Sequence, residues 1–232
     1  MSDTVTVREV LDRLESLADP DVRAGMAHAG INPEFAYGIK IPALRALAKE
    51  IGKDHALAQQ VWDSGKHEAR ILATMIDHPK WVTEDQMDRW VEDFNSWDVC
   101  DQCLGNLFDR MGRLAHRKAL AWSERDEEFV KRAGFVMMAR LAVGKKGMDD
   151  ADFDSFWPRL IAEATDERNF VKKAVNWALR QIGKRNLALN ARAIATAEQI
   201  QQIDSPAARW IASDALRELT GEAVQARLHA RE

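Results

Sequence analysis

Trp97, Asp101 and Gly105 recur every four residues in the stretch Asn95 to Arg110, which sets an indole, a carboxylate and a bare backbone position along one side of a helix. The apolar residues Cys100, Cys103, Leu104, Leu107, Phe108 and Met111 define the inward face. At 100° per residue Trp97 falls near one edge of that face and Asp101 farther out, at the boundary with solvent. Gly105 leaves a notch beside the carboxylate into which a ligand's backbone or sugar could approach. A structural reading accounts for the same residues: Trp97 caps the core, and Asp101 is a solvated acid near a helix start, where the dipole favours negative charge. The stretch alone leaves both readings open.

Other chemistry is thin. Cys100 and Cys103 are the two cysteines, three apart on one helical face, with no second pair or nearby histidine cluster to complete a tetrahedral metal site. They read as buried reduced thiols. A Gly-rich phosphate loop, a His-Glu-x-x-His zinc motif and a Gly-x-Ser-x-Gly elbow are absent from the sequence. Net charge is −4, but it is unevenly spread: residues 1–130 carry 16 Lys+Arg against 24 Asp+Glu, residues 131–192 carry 13 against 7, and residues 193–232 carry 4 against 6. Lys131, Arg132, Lys172, Lys173 and Arg180 belong to the basic segment, which suits either a solvated helical surface or an anion-binding face.

The elements that must position these residues are helical. Of 232 residues 46% are hydrophobic, enough for a core, and no segment alternates strictly or runs rich in Val, Ile and Thr as strands do. Val7, Val10, Leu11, Leu14 and Leu17 mark a first helix, and Gly30 and Gly52 read as C-terminal stops. Thr83 with Gln86 fits a capping box, Asn95-Ser96 a two-residue turn, Gly144 to Gly147 a loop, and Asn190 and Ser205-Pro206 the openings of the last two helices. About a dozen helices result. Phe129-Val130-Lys131-Arg132-Ala133 returns as Phe170-Val171-Lys172-Lys173-Ala174, 41 residues later, and Arg209-Trp210-Ile211-Ala212 resembles Arg70-Ile71-Leu72-Ala73. A period near 41 with two helices per unit predicts an all-α superhelix, a solenoid of HEAT-like helix pairs over residues 1–232 as one domain. Stacked pairs would present the five cations in ranks to something long and anionic, the match to a duplex backbone.

These residues resemble the AlkD-like DNA alkylation repair proteins, HEAT-like-repeat glycosylases that remove N3- and N7-alkylated purines. The resemblance runs from Tyr37-Gly38-Ile39-Lys40-Ile41-Pro42-Ala43-Leu44-Arg45, through Trp97-Asp98-Val99-Cys100-Asp101, to Phe129-Val130-Lys131-Arg132 and Trp177-Ala178-Leu179-Arg180. It implies that Asp101 is the catalytic carboxylate and that Trp97 packs against the damaged nucleotide. It implies further that Arg132 holds a backbone phosphate, and that Trp177 and Arg180 supply a second aromatic and a further backbone contact. Lys131, Lys172 and Lys173 join them as expected DNA contacts.

Such chemistry asks for little. A carboxylate near an oxocarbenium-like sugar stabilises its charge and orients water, and a purine alkylated at N3 or N7 already carries the positive charge that lets it leave neutral. One acid then suffices, and neutral lesions such as uracil are expected to be poor substrates. The expected partner is double-stranded DNA carrying alkylated purines, met by a monomer without cofactor or metal. With no signal-peptide series and no apolar run near the ~20 residues that span a bilayer, a cytoplasmic protein is expected and no membrane partner. The alternatives are a non-catalytic HEAT-like DNA-binding protein and a protein-interaction scaffold.

Overall fold

Helix-starting residues decide where the chain turns. In the computed structural model, which describes residues 5–143 and 147–230, Thr6 and Glu9 close a reciprocal capping box on α1 (Val7–Ser16), and Asp19 caps α2 (Pro20–Met26), its carboxylate accepting the Asp21 and Val22 N–H groups. A 3-10 turn at Ala27–Ala29 ends on Gly30 at φ 73°. Then follow α3 (Ile41–Ile51), α4 (His55–Asp63) behind the Asp54 cap, α5 (His67–Ile76), α6 (Glu84–Glu92) and α7 (Trp97–Asn106). Beyond them come α8 (Arg113–Ser123), α9 (Glu128–Ala142), α10 (Trp157–Ala162), α11 (Asn169–Gly183), α12 (Leu187–Gln201), α13 (Pro206–Leu219) and α14 (Glu222–His229). The protein is all-α, with fourteen α-helices and no strand among the described residues.

The chain divides into two compact units, residues 1–108 and 109–232. In the first, α5 packs on α3, α4 and α7. Its core is built on Trp62 and Trp90, both fully buried and stacked with ring centroids 4.0 Å apart. The segment between α2 and α3 is pinned from below by Glu68, a buried carboxylate that accepts hydrogen bonds from the backbone N–H groups of Tyr37 (2.8 Å), Gly38 (2.6 Å) and Ile39 (3.0 Å). Gly38 sits at φ +84°, and a Cβ there would lie 2.2 Å from the Asp19 carbonyl oxygen, so the bend requires glycine.

In the second unit α9 packs on α8 and α11, and α11 on α12 and α13. Gly134 lets α9 cross α8 closely, since a Cβ would come within 2.4 Å of the Ser123 amide nitrogen. Bonds between successive helix pairs join residues roughly one repeat apart. Arg132 donates to the Phe170 carbonyl at 2.8 Å, Asn176 to that of Ile211 at 3.1 Å, and Ser205 Oγ to Glu167 at 3.1 Å.

Several details depart from the sequence expectation. The period is not uniform: α9, α11 and α13 begin at residues 128, 169 and 206, steps of 41 and 37, but α3, α5 and α7 begin at 41, 67 and 97, steps of 26 and 30. Only half of the Thr83–Gln86 box forms, because the Gln86 side chain donates instead to buried Asp77 at 2.6 Å. The turn before α7 spans four residues, 93–96. Asn190 does not open a helix; Asn186 caps α12, and Asn190 lies a turn inside it, donating to the Gly183 carbonyl at 2.9 Å. Ser205 caps α13 as expected, but α14 follows it. Of the Gly144–Gly147 loop, residues 144–146 fall outside the described residues.

Candidate active site

The start of α7 is tied down by the acid that sequence reading passed over. Ser96 precedes the helix in an extended conformation, but its hydroxyl does not cap a backbone amide; it donates to Asp98 Oδ1 at 2.8 Å. The same oxygen accepts the Val99 N–H at 3.0 Å, and Asp98 Oδ2 pairs with His67 Nε2 at 2.8 Å. Burial opposes the charge of Asp98, and the bonds from His67, Ser96 and the Val99 amide outweigh it, holding the carboxyl below its ordinary value. His67 opens α5, and its backbone N–H donates to the Phe35 carbonyl at 3.0 Å. Two helix starts and the α2–α3 segment are thus locked together.

On that anchored helix Val99, Cys100, Cys103 and Leu104 are buried, and Trp97, Asp101 and Gly105 are each half-buried. The indole of Trp97 is oriented by a hydrogen bond from Nε1 to the Ala29 carbonyl at 2.8 Å, in the 3-10 turn that Gly30 ends. Trp97 and Asp101 therefore lie at the rim of the core, one turn apart, as the 100° spacing requires. Of the two acids in the Trp-Asp-x-x-Asp element, Asp98 forms the lock, and Asp101 lies three residues farther along the helix. Cys100 and Cys103 are free, fully buried thiols. Burial pushes the Cys103 thiol well above its ordinary value, which leaves it a poor nucleophile. Among the described residues no three His, Cys, Asp or Glu side chains come together as a metal site.

The basic segment is arranged otherwise than its spacing predicts. Lys131 is 7% exposed, with Nζ donating to Glu163 at 2.7 Å and 4.0 Å from Asp166. Arg132 is 6% exposed and bonded to the Phe170 carbonyl. Arg180 pairs with Glu218 and, at 3.6 Å, with Asp214, while Lys184 reaches the other Glu218 oxygen at 2.6 Å. Partial burial opposes the charge of Glu218, but the Lys184 and Arg180 bonds more than offset this, and its carboxyl lies below the ordinary range. Lys172 is half-buried, its ammonium 5.4 Å from the Trp210 ring centre, and Trp177 is half-buried on α11. Lys173 is exposed. The expectation of five cations presented in ranks is thereby corrected: four are engaged by neighbouring helix pairs, because a long side chain directed at the next repeat meets carboxylates and helix-end carbonyls, and a buried charge must be paired.

His67, Asp98 and the Ala29 carbonyl are the positioning groups that sequence reading missed. Two of them had a signal, since His67 and Asp98 lie 31 residues apart, as do Trp62 and Asp93, which are joined at 2.7 Å, and Tyr37 and Glu68. That spacing is close to the repeat of this unit and lies well away from 41.

A protein solved as one of "a new family of proteins related to the HEAT-like repeat DNA glycosylases with affinity for branched DNA structures" superposes with a TM-score of 0.75 at 19% identity, over 94% of this chain and 97% of that one. An engineered protein aligns at a TM-score of 0.40 with 12% identity, over 95% of this chain and 99% of that one, too remote to bear on the fold. No curated protein matches. The first of these makes the fold that of the HEAT-like-repeat proteins related to DNA glycosylases. Residues 10–219 match the model of the family described as DNA alkylation repair enzyme. With that pattern running from within α1 to the end of α13, the chain belongs to the DNA alkylation repair enzyme family.

Proposed function

We propose that the protein is a DNA glycosylase that hydrolyses the N-glycosidic bond of N3- and N7-alkylated purines in duplex DNA. The observation that carries this reading is the pair on α7: Trp97, its indole fixed by Ala29, one turn before half-buried Asp101. Asp101 stabilises the oxocarbenium-like sugar and orients the attacking water, where a fixed carboxylate in a partly dry setting acts more strongly than one in bulk solvent. The leaving base carries its own positive charge and departs neutral, so no second carboxylic acid is needed to protonate it. Trp97 offers a ring face to the cationic nucleotide, an attraction of about 0.5–2 kcal/mol that a neutral base lacks.

On α11, Trp177 would supply a second ring, and Lys172 and Lys173 backbone contacts. Arg132 and Arg180 would reach a phosphate by releasing the Phe170 carbonyl and Glu218, and Lys131 by releasing Glu163.

Release of 7-methylguanine from methylated duplex tests this reading. The wild type should release it, and Asp101→Asn should lose roughly 100-fold or more of the single-turnover rate while binding duplex as before. Equal release by both proteins removes Asp101 from the mechanism. The similarity to a protein with affinity for branched DNA favours one second reading, binding without catalysis. Absence of release combined with tighter binding to a four-way junction than to duplex would select it.

A further inference from the structure

Two cations of α3 are not used by the fold. Arg45 and Lys49, one turn apart, are exposed, and neither has an ion pair or a side-chain hydrogen bond among the described residues. They line a depression of about 360 Å³ in the first unit together with Gly52, Lys53 and Asn106, and no carboxylate lines it. The Lys53 ammonium is oriented there by the carbonyls of Met75 and Asp77, both at 2.8 Å. Asn106 is fixed as well, its amide donating to Thr74 Oγ1 at 3.0 Å. Elsewhere on α3 the one acid of the helix, Glu50, is engaged by Arg13. The depression lies at the C-terminal end of α3, whose dipole contributes about half a negative charge, less than the two full positive charges of Arg45 and Lys49. What remains is a site for an anion, floored by Ala48 and Gly52, where backbone can be approached closely.

Asn106 also ends α7, the helix that carries Trp97 and Asp101. Five residues separate Asp101 from Asn106, a rise of roughly 7.5 Å along the helix axis, comparable with about two nucleotides of one DNA strand at 3.4 Å each. We propose that Arg45, Lys49 and Lys53 form a phosphate site that holds a backbone phosphodiester of DNA within a few nucleotides of the base facing Trp97. The inference rests on the reading of α7 as the DNA-facing helix, and it assigns backbone contact to the unit whose net charge is negative. Arg45 would bind the two phosphate oxygens in a fork, and Lys49 would act as a point charge.

Binding of undamaged duplex by the full chain, followed by fluorescence anisotropy as salt is raised, tests the site without reference to catalysis. The double variant Arg45→Ala, Lys49→Ala should lower the slope of log affinity against log salt by about 0.9, the contribution of one phosphate contact. Arg45→Lys with Lys49→Arg should restore it, and melting temperature should not move, since both side chains are exposed. An unchanged slope in the double variant overturns the phosphate site while leaving alkylpurine release by the wild type as separate support for the glycosylase. Failure of the wild type to bind duplex even at low salt overturns both.

Discussion

Lys131 and Arg180 in the second unit each meet a carboxylate of a neighbouring helix pair, Glu163 and Glu218, whereas Arg45 and Lys49 in the first stand exposed on α3 without an ion pair among the described residues. Positive charge is thus most plentiful where the fold uses it and most available where the sequence is acidic. The reason is geometric. In stacked helix pairs a cation's nearest acid lies about one repeat away in sequence, so a segment can look basic although its partners fall outside it. Arg140 is bonded to Asp109, and Arg180 and Lys184 to Glu218, all to acids beyond the 131–192 segment. Charge counted along a solenoid is therefore a poor guide to charge at its surface, and solvent exposure has to be known as well.

The contrast is tested most strongly by Lys131→Met set beside Lys173→Met. Lys131→Met takes one cation from Glu163 and Asp166, which keep Arg159 and Arg168, and should cost about 2 kcal/mol, a fall in melting temperature of roughly 4–8 °C at this chain length. Lys173→Met, on an exposed position, should stay within about 0.5 kcal/mol of the wild type. Equal melting temperatures, with a shallower salt dependence of duplex binding in Lys131→Met, would return Lys131 to the DNA contacts.

A smaller effect separates the two acids of α7. Asp98 has its carboxyl held below the ordinary value, so its contribution to stability is fully present above the unfolded value near pH 4 and is lost as pH falls through the lower, folded one. Asp98→Asn should cost about 1–2 kcal/mol at neutral pH, and denaturant titrations should show that deficit shrinking as pH is lowered towards 3. A deficit that is the same at pH 7 and pH 3 would mean that His67 and Ser96 do not bind the charged carboxylate in preference to the neutral one.

Much of this was legible in the sequence. The helices themselves, the Ser205 cap and the glycine stops at Gly30 and Gly52 follow from local rules and are found in place. So does the rim position of Trp97 and Asp101, because four residues on a helix fix an angle. Contacts between repeats were not legible. Gln86 left its capping box for Asp77, and His67 took Asp98, since in each case a tertiary partner outweighed a local one. A single repeat length of 41, drawn from the Phe129 and Phe170 segments, could not reveal pairs that recur at 31 in the first unit.

Under the proposed function the first unit holds the chemistry, with one carboxylate, Asp101, that serves a leaving group already charged. Single-turnover release of 7-methylguanine and of uracil from otherwise identical duplexes, at protein concentrations that saturate both, tests it most directly. Release of 7-methylguanine with no detectable release of uracil is the predicted result. Comparable release of the two bases would contradict it, because a neutral base could then leave without a second acid.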